Sequence, residues 1–597
     1  MNTKFTRRID LLKSAAIPFF LILLGYVVIA DENFTVILSG IAIFIIGMFF
    51  MQDGFKQLSG GILEKLLEKF TSNTLYAIAT GFLSTSVVQS STIITLIVVS
   101  FLSAELLTLV QAVGIVFGSN VGSTTTAWIV SSLGVDVKIS TYAFPMLVFG
   151  VVLRFFKSNG VKGSGNVLLG LGFIFLGISY MKDGFDIMKN SIDLASYAME
   201  GYLGIIVYIL IGILITVVIQ SSAATLAIVI TALNADSITY VNAIALAIGA
   251  NVGTTLTTIL ASFASNENGK RVALIHFLFN LISATFITIL IYQFIDLTDF
   301  IAPFLGVSDN NYGMKLALFH TIFSVTGVIL LTPAISLLVK LSEKLIQKKV
   351  SSASKPKYLN QSVLSNPDAS LAALKKEIIN LYENCQKAML HALNIHTTGL
   401  TRETLKVQLA KELTILDTDI DEIYQKNLKA LYSEIVKFSS FAQENMFDFQ
   451  HKKVDELKRA AVLLVEVLRD TRDIQKNVNF YLKSKNEYIK EEYNILRKEL
   501  AVILIDINTL SMLENDSDQL TQFELIKTEL AHNDLASSEE LDTLIREDKI
   551  KATMATSYMN DSATGYSIQK KLVEVATILF INNNLLKEIG EQKHETK

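Results

Sequence analysis

Up to about Lys340 the chain is a succession of long apolar runs; beyond it, apolar residues recur three and four apart among charges, as in Leu463, Val467 and Leu468. Runs of about 20 apolar residues match the thickness of a bilayer, and the three-to-four period marks amphipathic helices. The pattern predicts an all-α chain, a polytopic membrane domain followed by a soluble helical bundle. Lys4, Arg7, Arg8 and Lys13 precede an apolar run, Ser14–Ala30, that ends in VVIADEN without a small-x-small cleavage pattern, so residues 1–33 are expected to hold a retained first span. Phe34–Gln52, Leu106–Ser132, Ile139–Phe156, Gly165–Met181, Tyr240–Ala264, Val272–Ile295 and Leu316–Val339 are expected to cross the membrane. Asp53–Lys69, with Lys56, Lys65 and Lys69, reads as an amphipathic surface segment.

Two further runs are polar at their centres. Thr74–Phe101 carries Gln89-Ser90-Ser91, and Leu203–Leu233 carries Gln220-Ser221-Ser222. The second stretch lies 131 residues after the first, and the same offset relates Thr85 to Thr216, Asn120 to Asn251, Gly122 to Gly253, Ser123 to Thr254 and Thr124 to Thr255. Met51-Gln-Asp-Gly-Phe55 recurs as Met181-Lys-Asp-Gly-Phe185 at an offset of 130. A near-constant offset across several motifs marks an internal duplication. Unpaired polar groups cost several kcal/mol in hydrocarbon, so an interrupted run must line a protein-enclosed cavity. Both runs are therefore expected to be re-entrant helical hairpins with Gln-Ser-Ser at the tip. Each repeat, residues 34–157 and 165–295, then holds one hairpin and three crossings; three is odd, so the repeats are inverted. The strongly basic loops, around Arg154–Lys162, Lys270–Arg271 and Lys340–Lys357, all fall on one side, which the positive-inside rule assigns to the cytoplasm with both termini. Residues 314–340 form the final span, 341–367 a linker, and 368–597 the bundle.

The formal net charge of −4 gives no case for nucleic acid, and the single cysteine, Cys385, excludes an intramolecular disulfide. Near the motif there is no proton-relay carboxylate and no soft metal ligand. Hydroxyls, amide carbonyls and unwound backbone carbonyls suit Na⁺, whereas hydroxyl and amide hydrogens and half-helix N-termini suit an oxyanion. Together they suggest sodium-coupled anion transport, with no catalytic residue and no cofactor. Gln89, Ser90, Ser91, Gln220, Ser221 and Ser222 are the candidate substrate site. Thr85, Thr92, Asn120, Ser123, Thr124, Thr216, Thr225, Asn251, Thr254 and Thr255 are its candidate support. His276 and His320 lie in spans without a symmetric partner and read as helix-packing residues.

The paired Gln-Ser-Ser motifs, each followed by Gly-x-Asn-x-Gly-[Ser/Thr]-Thr, resemble the type II sodium/phosphate cotransporter family over roughly residues 34–340. The resemblance implies inorganic phosphate as substrate, Na⁺ as coupling ion, a bacterial plasma membrane and the two Gln-Ser-Ser segments as the transport site. The second copy reads Ala223-Ala224-Thr225 where the first reads Thr92-Ile93-Ile94, so the site is not strictly symmetric. Transport of another small anion, or a phosphate sensor anchored in the membrane, are the alternatives.

Helical periodicity over 368–394, 402–437, 443–484, 487–514 and 561–589, with connections near 514–520 and 535–548, resembles the PhoU-like domains of bacterial members. That implies a regulatory role. Asp417/Asp421 and Glu466/Asp470, each pair four apart on a helix face, are the candidate metal ligands. A homodimer, or a cytosolic regulatory partner for the bundle, stays open.

Overall fold

Polar residues at the centre of two apolar runs do break them. The computed structural model describes residues 25, 32–59, 73–133, 139–191, 201–263, 265–347, 355–410, 416, 420–444, 446, 448–535 and 537–581. The expected first span (Gly25 apart), the stretch 60–72 and Asp417 lie outside them. Every element described is a helix, and the chain divides into two units, Met1–Lys348 and Lys349–Lys597.

The first unit begins with α1 (Glu32–Ser59), α2 (Thr74–Val88), α3 (Ser91–Ser103), α4 (Leu109–Gly122), α5 (Thr124–Leu133) and α6 (Ile139–Arg154). It continues with α7 (Asn159–Ser191), α8 (Gly201–Ile219), α9 (Ser222–Asn234), α10 (Tyr240–Ser262), α11 (Glu267–Ile289), α12 (Ile291–Ile301), α13 (Tyr312–Leu331) and α14 (Ile335–Leu345). Six of these helices are long and apolar enough to cross a membrane: α1, α7, α8, α10, α11 and α13. Large apolar side chains such as Leu75, Leu83, Phe149, Leu214, Ile289 and Ile329 are exposed on this unit, as a lipid-facing surface requires. The chain is thus an all-α polytopic membrane protein.

Both hairpins are present. Gln89 takes the left-handed conformation (φ 57°), its N–H bonds the Thr85 carbonyl at 2.7 Å, and extended Ser90 caps α3. Gln220 (φ 59°) and Ser221 repeat this turn, with a 2.7 Å bond to the Thr216 carbonyl. The far ends match as well. Glu105 and Asp236 are both left-handed, and the next N–H, of Leu106 or Ser237, reaches back to Phe101 or Ala232 at 2.8 and 2.9 Å. Such a turn closes a helix by satisfying its last carbonyls. Thr108 and Thr239 then cap α4 and α10.

Three expected crossings are interrupted, one of them Val272–Ile295, which breaks at Leu290 between α11 and α12. Leu106–Ser132 divides into α4 and α5 at Ser123, whereas its copy, α10, runs unbroken. Leu316–Val339 stops at Leu331, because Pro333 cannot continue the helix, and resumes as α14.

Glycine sets how close the helices approach. A Cβ on Gly81 would run into the Ile115 carbonyl and one on Gly118 into the Ile78 carbonyl; the copies Gly212 and Gly249 meet Leu246 and Ile209 in the same way. Each hairpin therefore presses its first arm backbone-to-backbone against the crossing helix that follows, the small-residue packing found in membranes. The equivalent helices α1 and α7 pack antiparallel, as inverted copies must. Gly40 lies against Gly177, Gly47 against Gly170 and Gly54 against Gly163, with room for no added carbon; the nearest atoms would stand at 2.6–2.9 Å.

The second unit contains α15 (Pro367–Ala392), α16 (Arg402–Ala410), α17 (Ile420–Ile423) running into a π-helical turn (Tyr424–Leu428), α18 (Lys429–Gln443), α19 (Asp448–Tyr481), α20 (Glu487–Met512), α21 (Asp516–Leu535), α22 (Ser537–Arg546) and α23 (Ala552–Phe580). The stretches near 514–520 and 535–548 were expected as connections, but most of their residues lie in α21 and α22. Their serines and acids sit in first turns, where they favour a helix start: Asp516 and Asp518 open α21. Cys385 is a buried core residue. The buried Glu377 carboxylate accepts the N–H groups of Lys357 and Tyr358, both at 2.8 Å, and so ties the incoming segment to α15. Burial is the largest influence on Glu499, whose carboxyl is pushed up to about 7.

Two outcomes follow from this packing. Gly118→Ala should abolish monodisperse protein in detergent, because the new carbon meets backbone and the two helices must part; size-exclusion chromatography checks it. Glu499 binds its proton more tightly folded than unfolded, so its contribution is complete at pH 4 and lost as pH rises through about 7. Glu499→Gln should raise the unfolding midpoint of this unit at pH 8 by a few degrees and leave it unchanged at pH 4, read by scanning calorimetry.

Candidate functional site

The two tips meet. Gln89, Ser90, Ser91 and Thr92 from the first repeat, and Gln220, Ser221 and Ser222 from the second, line one cavity of about 240 Å³. Ser123, at the α4–α5 break, and Thr126 of α5 add polar wall, and Ile45, Met48, Phe49 and Gln52 of α1 close one side. Among the described residues, none that lines it carries a formal charge.

Each tip contributes the same local device. The Ser90 hydroxyl accepts the Ile93 N–H at 3.3 Å, and the Ser221 hydroxyl accepts the Ala224 N–H at 3.2 Å. Both serines are therefore N-caps, and an N-cap side chain uses a lone pair on the helix while its own hydrogen stays free to donate. Ser221 Oγ lies 3.9 Å from Met48 Sδ, which is only a weak acceptor. The first turns of α3 and α9 hold N–H groups without intrahelical partners, and both helix dipoles place positive ends at the cavity. The α2 and α8 arms end at the same tips with free carbonyls, the negative ends of their dipoles. One neutral cavity thus offers converging donors for an anion and nearby carbonyls for a hard cation.

The glutamines differ. Gln89 is buried; its Nε2 donates to Thr125 Oγ1 at 2.9 Å and to the Ser86 carbonyl, while its Oε1 accepts from Thr126 Oγ1 at 2.8 Å. Gln220 is exposed, and its amide has no partner among the described residues. Where the first repeat has Thr125 the second has Leu256, which cannot accept a hydrogen bond, and Thr257, the counterpart of Thr126, donates to the Thr254 carbonyl at 2.7 Å instead. A second substitution acts on the supporting threonines. Thr216 Oγ1 donates to Thr225 Oγ1 at 2.9 Å, but Ile94 stands where Thr225 would be, and the buried Thr85 hydroxyl is left without a partner.

The remaining candidates stand off the cavity wall. Thr254 and Thr255 bond carbonyls within α10 at 3.1 and 2.7 Å, while Thr124 and, from the wall, Ser123 reach back to the Val121 and Asn120 carbonyls at the end of α4 at 2.8 and 2.7 Å. Asn120 and Asn251 each meet a histidine: His276 Nε2 lies 3.4 Å from Asn120 Oδ1, and His320 Nε2 lies 3.1 Å from Asn251 Oδ1. The two histidines are therefore each other's symmetric partners, contrary to the sequence expectation. Thr125, Thr126 and the α1 residues were not singled out from the sequence. The threonines were legible as part of the Ser-Thr-Thr-Thr run, whereas nothing along the chain ties α1 to the tips.

In the second unit, Asp421 pairs with Arg472 at 3.1 Å, and Glu466 and Asp470 share Lys571 at 3.3 and 2.7 Å. Ion pairing accounts for these carboxylates. Among the described residues no three His, Cys, Asp or Glu side chains gather as a metal site.

Residues 43–183 and 203–316 match the family described as Na⁺/Pi-cotransporter, which takes in both tips and both Gly-x-Asn-x-Gly segments. The chain is 27% identical over 394 residues to a protein of Salmonella typhimurium named as a candidate inorganic phosphate export protein, YjbB, covering 64% of this chain and 69% of that one. The protein of that name in Escherichia coli K12 is 26% identical over 394 residues, 65% of this chain and 68% of its own. An uncharacterised protein of Bacillus subtilis, YqeW, is 25% identical over 309 residues, 52% of this chain and 97% of its own. No solved structure matches the chain. Over the matched residues of its first unit, the chain is similar to the Na⁺/Pi-cotransporter family.

Proposed function

We propose that this chain moves inorganic phosphate across a bacterial plasma membrane in company with Na⁺, and that the cavity between the two tips is where phosphate binds. The observation that carries the reading is the convergence of two serine-capped helix N-termini on a cavity without charged lining. Fixed dipoles aimed at one point can replace an oxyanion's water, the role of broken helices in membrane carriers. A neutral wall leaves the anion's charge uncompensated, and Na⁺ held by the carbonyl ends of α2 and α8 supplies the balance. The named relatives favour phosphate over other oxyanions. Because that name is for export, a second reading runs the same path outward.

Full-length protein in proteoliposomes tests both. An imposed Na⁺ gradient should drive ³²P-phosphate uptake that K⁺ cannot replace and that excess sulfate leaves unchanged. Sodium-independent efflux from loaded vesicles, with no gradient-driven uptake, would favour the export reading. Phosphate binding in detergent without flux in either direction would leave a sensor.

Ser90→Ala and Ser221→Ala should each insert normally and cut phosphate affinity about 10- to 150-fold, the usual loss when a hydrogen bond to a charged group is removed. Half-saturation in the same assay measures it, and wild-type values in both variants would return the serines to capping alone. The PhoU-like reading of the second unit predicts regulation. A chain ending near Tyr358 should keep Na⁺-dependent flux and lose any dependence of rate on phosphate inside the vesicle.

A further inference from the structure

The helix that holds Asn120 has its own copy. Gly269-Lys-Arg-Val-Ala-Leu-Ile-His-Phe-Leu-Phe279 in α11 recurs 44 residues later as Gly313-Met-Lys-Leu-Ala-Leu-Phe-His-Thr-Ile-Phe323 in α13. Six positions correspond in kind: Gly269 with Gly313, Arg271 with Lys315, Ala273 with Ala317, Leu274 with Leu318, His276 with His320 and Phe279 with Phe323. Each helix opens on an asparagine cap, Asn266 or Asn311. Each basic residue is buried and held, Arg271 by the Ile346 carbonyl at 2.8 and 3.0 Å and Lys315 by Asp299 at 2.8 Å. The 44-residue copy meets the 131-residue copy at one kind of bond, made twice: imidazole to the asparagine of Gly-x-Asn-x-Gly.

The first of these bonds has a defined direction. Asn120 Nδ2 donates to the Val116 carbonyl at 2.8 Å, which turns Oδ1 toward the imidazole. An amide oxygen only accepts, so His276 Nε2 carries the hydrogen. Asn280 Nδ2 gives Oδ1 a second hydrogen bond at 3.2 Å. Asn120 is thus pinned from α11, three residues before the α4–α5 break. Ser123 at the break bonds the Asn120 carbonyl at 2.7 Å, and Thr125 and Thr126 just beyond it hold Gln89. The second bond has no such continuation. Helix α10 is unbroken after Asn251, Leu256 replaces Thr125, and Gln220 is unheld.

We propose that His276 is a positioning residue for the first half of the binding cavity, acting through Asn120 and α5 on Gln89, and that His320 makes the equivalent bond without a link to its own glutamine. The proposal rests on the transport reading for its substrate but not for its geometry. His276→Leu removes the donor and keeps an apolar filling; His276→Gln restores an N–H near the place of Nε2. In the proteoliposome assay, His276→Leu raises half-saturating phosphate roughly five- to tenfold, as loss of one buried hydrogen bond allows. His276→Gln returns it to within about twofold, and His320→Leu leaves it within about twofold, although both leucine variants lose thermal stability. Hydrogen exchange in lipid nanodiscs reads the same path without substrate: amides of residues 123–126 exchange faster in His276→Leu and at the wild-type rate in His276→Gln. Should His276→Leu not insert, Asn280→Ala removes the other donor to Asn120 and is expected to raise half-saturation and exchange in the same way.

Unchanged half-saturation with unchanged exchange at residues 123–126 overturns the proposal. So does an equal rise in half-saturation for His320→Leu, which would make both histidines general packing residues. A wild-type chain that neither binds nor moves phosphate defeats the transport reading alone, and the exchange measurement then decides the role of His276.

Discussion

A broken helix inside hydrocarbon has to satisfy its own backbone, and the first unit is built around two such breaks. At Gln89 and Gln220 a left-handed residue ends one arm and an extended serine starts the next. Each break leaves carbonyls and N–H groups that lipid cannot accommodate. Partial solutions are local: the glutamine N–H bonds back four residues, and the serine hydroxyl takes the N–H three residues ahead. The remainder is met where the two tips face one polar cavity, and the same groups that make the breaks costly are those that could hold an anion and its cation.

Close packing is what makes that arrangement rigid. Gly81 against Ile115 and Gly212 against Leu246 bring each hairpin onto its crossing helix at backbone contact, and the glycine ladder between α1 and α7 does the same for the equivalent outer helices. With no hydrophobic drive between helices in lipid, this contact area is a main source of association. Rigid arms in turn fix the direction in which the helix N-termini point.

Around the tips, three differences between the copies break the symmetry. Leu256 in place of Thr125 offers Gln220 no acceptor; Ile94 in place of Thr225 leaves Thr85 Oγ1 without a partner; α4–α5 is divided where α10 runs through. The glutamine of the first tip is therefore held, whereas that of the second has no partner among the described residues.

The sequence by itself determined the all-α class, the duplication and the positions of both hairpin tips. These follow from one-dimensional facts: apolar run length, a constant offset, and polar residues where hydrocarbon forbids them. It also carried the 44-residue copy around His276 and His320, but six matches scattered in apolar helices do not stand out until both histidines are seen on equivalent asparagines. Residues 514–520 read as a connection because acids and serines are as common in loops as in first turns, yet from Asp516 onward they open α21. Only the tertiary structure decided that the two tips share a cavity, that α1 closes one side of it, and that Gln89 is held while Gln220 is not. Those are contacts across tens to hundreds of residues, and the burial and geometry that create them have no image in local spacing.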